Sequence, residues 1–145
     1  MKTHAFLAII ALAAALAVSG CAQNGQQKSV YFEGKFEVLA PGYYTELKMD
    51  NAGYMNITKN IGMQQIAANS RMQPAQLDSL KGMLAGSDFF SLKDSYVDWD
   101  VDNGTSYILT LTLGNRTSRV LCYETCPDSA LGIRNKIQEY WGEAL

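Results

Sequence analysis

The sequence predicts an α+β domain: a single antiparallel sheet of roughly five to six strands, built around two hairpins and covered on one face by two helices. Three observations lead there. Runs of period-two alternation are joined by turn residues, as where Tyr107, Leu109, Leu111 and Leu113 alternate with Ser106, Ile108, Thr110 and Thr112. Two other segments space their apolar residues three and four apart, each opening just after a proline, Pro74 or Pro127. These helical segments stand in two separate places rather than between successive strands, so the strands are read as antiparallel neighbours.

In chain order, the fold is expected to begin near Val30. VYFEGKFEVLA gives a first strand, and Pro41-Gly42 turns it into YYTELKMD, where Thr45, Leu47 and Met49 share one face and Glu46, Lys48 and Asp50 the other. Asp50-Asn51-Ala52-Gly53 is a turn signal, and YMNITK resumes the alternation with Met55 and Ile57 inward, completing a hairpin. A weaker strand follows around residues 64–71. PAQLDSLKGMLAG places Leu77, Leu80 and Leu84 at helical spacing and ends near Gly86, after which Phe89, Phe90 and Leu92 are expected to tuck back onto the core. YVDWDVDNG reads as a loop. It leads into TSYILTLTL, which Gly114-Asn115 turns into RTSRVLCYE as a second hairpin. The last helix follows Pro127, with Ala130, Ile133, Ile137, Tyr140 and Trp141 drawing one apolar stripe.

The amino-terminal segment has a different character. Lys2 precedes an uncharged apolar run from Ala5 to Val18, followed by small residues and then by Gln, Asn and Gly. That is the plan of a secretory signal, and the run is shorter than the ~20 apolar residues a bilayer-spanning helix needs. Val18-Ser19-Gly20-Cys21 resembles the lipobox of bacterial lipoproteins at all four positions. The resemblance implies cleavage between Gly20 and Cys21 and lipid on the Cys21 sulfur. At ~0.8 kcal/mol per buried methylene, two or three acyl chains hold where one does not. In that family Ala22, with no Asp after the Cys, implies outer-membrane sorting where the cell has two membranes. The expected organisation is a signal peptide over 1–20, a flexible tether over 21–29 and a single domain over 30–145, anchored at the cell envelope.

Removing the leader takes away Lys2 and shifts the formal charge from −2 to −3, an acidity that argues against a nucleic-acid partner. It also takes away His4, the only histidine. Histidine-dependent hydrolases, histidine metal sites and histidine general bases are therefore excluded from the mature chain. No cofactor is implied.

Asp98, Asp100 and Asp102 alternate like the start of an EF-hand loop, but that loop needs Gly at its sixth position and Glu at its twelfth, where this chain has Asn103 and Leu109. The carboxylates are read as a solvated acidic turn, with no metal site and no catalytic pair. Trp99, flanked by two of them, is the best candidate for a surface aromatic and, with Asp98, Asp100 and Asp102, for a binding surface. Tyr43, Tyr44, Phe89 and Phe90 are further candidates, the phenylalanines being better suited to the core. Cys122 and Cys126 invite three readings: a structural disulfide closing CYETC, two unpaired thiols, or a redox pair. The spacing is one residue too long for the thioredoxin motif, and outside the reducing cytosol a disulfide is favoured.

From Phe36 onward, the order of Tyr44 and Asp50, LDSLKGMLAGSDFFSL, the Asp-rich turn, SYILTLTL, RTSRVLCYE and a closing helix is similar to two groups. One comprises uncharacterised domains of small bacterial lipoproteins, the other the emfourin-type inhibitors of thermolysin-like metalloproteases. The resemblance implies a non-catalytic, protein-binding domain, with protease inhibition its most concrete form; it places no inhibitory residue. A structural role in envelope assembly is the alternative, and an enzyme built on the Asp-rich turn or on the thiols comes after it.

Overall fold

A computed structural model describes residues 30–142. The leader, the cleavage and lipidation site at Gly20 and Cys21, and the tether over 21–29 lie outside the described residues. Seven strands form one sheet: β1 (Phe32–Ala40), β2 (Tyr43–Met49), β3 (Tyr54–Ile61), β4 (Gln64–Arg71), β5 (Ser95–Val97), β6 (Ser106–Leu113) and β7 (Arg116–Tyr123). Among the described residues there are also two helices, α1 (Pro74–Gly86) and α2 (Asp128–Gly142).

The strand order is β4-β3-β2-β1-β6-β7-β5. The first four strands form an antiparallel meander, so there are more tight reversals than the two hairpins expected. Gly42, Gly53, Gly62 and Gly114 all take positive φ at the four reversals, where an L side chain would be strained. At Asp50–Gly53 the Asp50 carboxylate also accepts the amides of Ala52 and Tyr54, both at 2.9 Å.

Two further expectations need correction. The sheet has seven strands rather than five to six, because Ser95–Val97, at the edge of the segment read as a loop, pairs with β7. Three residues are too few to show alternation. That pair is also parallel, so the sheet is mixed. β5 and β7 are separated in sequence by two chain reversals, with β6 between them, and therefore run the same way.

The core lies on one sheet face. Phe32, Phe36 and Val38 of β1, Leu47 and Met49 of β2, Met55 and Ile57 of β3, Leu109, Leu111 and Leu113 of β6, and Val120 and Cys122 of β7 are buried alternates. Both helices cover that face. Leu77, Leu80 and Leu84 of α1, and Ala130, Ile133, Ile137, Tyr140 and Trp141 of α2, join the same cluster. Each large side chain fully buried there contributes about 1.5–3 kcal/mol relative to exposure. Pro74 opens α1, whose preceding Gln73 amide is bound by the Gln76 side chain at 2.7 Å. Phe89 is buried in a short 3-10 turn after α1, with Phe90 edge-on to it at 5.6 Å between centroids.

The sheet has two distinct ends. The chain enters β1 beside the β2–β3 and β6–β7 turns. The β1–β2 turn, the β3–β4 turn and the connection from β5 to β6 gather at the other end, since Leu39, Ser106 and Tyr123 are register neighbours there. A nine-residue strand separates these ends by on the order of 30 Å.

Candidate functional site

The connection between β5 and β6, residues 98–105, crosses the end of β7 and carries Trp99, Asp98, Asp100 and Asp102, the foremost sequence-predicted binding residues. Trp99 stands at its tip with 86% of its surface exposed. Asp100 and Asp102 are exposed and Asp98 is half-buried.

This loop is tied at both ends by the residues that follow Cys122. The Asp98 amide donates to the Tyr123 carbonyl at 3.1 Å, and an Asp98 carboxylate oxygen accepts the Asp100 amide at 3.1 Å. The Tyr123 hydroxyl reaches into the loop, donating to the Val101 carbonyl at 2.8 Å and accepting the Gly104 amide at 2.9 Å. At the far end, the Glu124 amide donates to the Thr105 carbonyl at 3.3 Å, while the Glu124 carboxylate accepts the Thr105 amide. A Cβ at Gly104 would lie 2.6 Å from Glu124 Cγ, so a larger residue there would displace the Glu124 side chain.

Glu124 holds its position in the left-handed backbone region, at φ 57°. The Thr125 amide spans it, donating to the Tyr123 carbonyl at 2.7 Å, and a short covalent loop encloses this turn. The sulfur atoms of Cys122 and Cys126 sit at bonding distance with Cα atoms 5.1 Å apart, as a disulfide closing CYETC. Cys122 is buried in the core, so the bridge fastens the loop's supports to the interior.

The carboxylates are thus used as turn formers and surface charge. Among the described residues, no three His, Cys, Asp or Glu side chains are placed to hold a metal ion. The other aromatic candidates are spoken for. Phe89 is fully buried, Phe90 and Tyr43 pack against the core, and the Tyr44 hydroxyl donates to Glu37 at 3.1 Å.

Tyr44 belongs to a charged cluster on the sheet face opposite α1 and α2. Lys35 bridges Glu37 and Glu46, both at 2.9 Å, and Lys48 pairs with Glu46 at 2.8 Å. Hydrogen bonds from Lys48 and then Lys35 pull the Glu46 carboxyl down to about 2. Partial burial, reinforced by the bond to Glu37, pushes the Tyr44 phenol up to about 12, and the Glu37 and Glu46 carboxylates raise the Lys35 ammonium. A shallow groove of about 310 Å³ beside Lys35 and Lys48 is walled by Thr110 and Thr112. Both lysines are already neutralised by carboxylates, so the groove presents no net cationic site.

Sequence reasoning did not single out Tyr123 and Glu124. Tyr123 lies on the strand face opposite the core, where nothing in the alternation marks a hydroxyl with two partners. Compared with protein-family models and with curated proteins, the chain matches none.

Proposed function

We propose that this chain is a lipid-anchored protein of the bacterial cell envelope, held to a membrane through Cys21, whose domain binds a protein partner and carries out no catalysis. Inhibition of a protease is the most concrete form of that role. The carrying observation is Trp99: a large aromatic held almost wholly in solvent, on a loop fastened at both ends by Tyr123, Glu124 and the Cys122–Cys126 bridge. Tryptophan is the side chain most enriched where a few residues dominate an interface, and a pre-ordered loop loses little entropy on binding. The adjoining Asp100 and Asp102 would favour a partner with a basic surface. The loop also sits at the end of the sheet remote from where the chain enters β1.

The test uses the full chain in intact cells, with a photoreactive residue in place of Asp102 and Trp99 either kept or changed to Ala. A crosslinked protein that disappears with Trp99→Ala supports the reading. An adduct of equal yield in both removes Trp99 from the interface and refutes it. Titrating the purified chain into a thermolysin-like protease reads the inhibitory form directly. Fractionation of a Cys21→Ser variant tests the anchor: it should leave the membrane fraction, and retention there with no fatty acid on the wild type would overturn this half of the reading.

A further inference from the structure

The two edges of the sheet are treated differently. β5 is three residues long and flanked by Asp94 and Asp98, which is how natural edges discourage a further strand. β4 has none of these protections. It runs eight residues, its register with β3 is unbroken from Ile61↔Gln64 to Tyr54↔Arg71, and from Gln64 to Ser70 it holds no charge and no proline. Its turn end is also apolar and exposed, with Met63 fully in solvent and Ile61 and Ile66 each 47% exposed.

We infer that β4 is the interface between two copies of this chain, pairing antiparallel with its own counterpart across a two-fold axis to make a continuous fourteen-stranded sheet. The register follows from the hairpin. A two-residue reversal makes Ile61 and Gln64 a hydrogen-bonded pair, so Gln64, Ile66, Ala68 and Ser70 bond back to β3, and Gln65, Ala67, Asn69 and Arg71 point their amides and carbonyls outward. One self-pairing uses all four outward residues. It sets Gln65 opposite Arg71 and Ala67 opposite Asn69, with Ala68 facing its own counterpart on the axis.

The strand's composition selects a second copy as the occupant. In this register the opposed pairs are Gln65 with Arg71, Ile66 with Ser70, Ala67 with Asn69 and Ala68 with its own copy, so two copies meet with no like charges opposed. The single charge, Arg71, falls opposite neutral Gln65. Small Ala67 and Ala68 at the centre let the backbones approach. Strand pairing alone covers less than the ~1,200 Å² of a standard stable interface, so the dimer is expected to be concentration-dependent, and co-anchoring on a membrane would strengthen it.

Ala68 supplies the test, because directly opposed residues that do not share hydrogen bonds lie close enough for a disulfide. Full-length chain carrying Ala68→Cys should form an oxidised dimer, reversible by reductant, while Ser95→Cys on the other edge should not. Ala67→Pro deletes only an outward amide and should abolish the Ala68→Cys crosslink with the thermal midpoint nearly unchanged. Should that proline unfold the domain, Ala67→Lys with Asn69→Lys places introduced lysines opposite each other at two exposed positions and should abolish the crosslink by repulsion. Crosslinking of Ala68→Cys no greater than that of Ser95→Cys would overturn the inference. So would a dimer that survives the paired lysine substitutions, or an adduct made only with a different protein. None of these outcomes depends on what Trp99 binds.

Discussion

Replacing Tyr123 with Phe removes one oxygen atom and, with it, both hydrogen bonds that hold the middle of the 98–105 loop. These are the donation to Val101 at 2.8 Å and the acceptance from Gly104 at 2.9 Å. Both are partly buried. A bond of that kind contributes about 1 kcal/mol net, so the loop should lose about 2 kcal/mol of local stability. At 1.4 kcal/mol per factor of ten, opening of the loop becomes roughly 30-fold more frequent. The ring keeps its packing, and the disulfide and Glu124 still tether the far end, so the effect should stay local. Native-state amide exchange on the full chain reads this directly. The Gly104 amide should exchange about 30-fold faster in Tyr123→Phe, with Leu109 and Leu111 in β6 far less affected. An unchanged Gly104 rate would refute the pinning of the loop. An equal acceleration at Leu109 and Leu111 would show that the tyrosine supports the whole domain rather than the loop.

Reduction of Cys122–Cys126, or its replacement by two serines, opens a loop so short that the expected loss is about 2 kcal/mol. A shift in denaturant midpoint checks this, and Trp99 mobility should rise with it because Glu124 is released. The Lys35–Glu46 cluster sets the pH response. Glu46 titrates lower in the folded chain than unfolded, so its contribution is present above pH ~4.5 and is lost as pH falls toward 2. Tyr44 and Lys35 are raised, so their contribution is present below pH ~10 and is lost as pH climbs through and beyond 12. Glu46→Gln should flatten the acid limb of a stability–pH curve by about 1 kcal/mol, the modest size reflecting a network open to solvent. A curve indistinguishable from wild type between pH 2 and 5 would show that the cluster does not couple to folding.

Much of the fold was legible because burial leaves a period in the sequence. Thr45, Leu47 and Met49 on one face, Leu77, Leu80 and Leu84 along a helix, and the stripe from Ala130 to Trp141 are all buried where their spacing puts them. The weak segment at 64–71 is a strand over those residues, although an exposed edge imposes almost no alternation on its side chains. β5 was hidden for a related reason: pairing with β7 demands only backbone, and three residues carry no period. At the candidate site, Trp99 was visible because an aromatic between two aspartates has little chance of burial. Tyr123 and Glu124 were not, since their roles depend on the loop coming to them.

What the sequence determined alone is therefore local: element types, turn positions, the apolar faces, and the lack of any histidine after His4. These depend on neighbours within a few residues, where spacing and backbone preference are decisive. The tertiary structure decided which strands adjoin. β1 lies between β2 and β6, although nearly seventy residues separate it from the latter. That single long-range pairing brings Leu39, Ser106 and Tyr123 to one end, carries the Trp99 loop across β7, and leaves β4 at an edge, paired only with β3 among the described residues. Hydrogen bonding between strands is blind to side-chain identity, so no local pattern could have named those partners; only the joint burial of both apolar faces under two helices selects them.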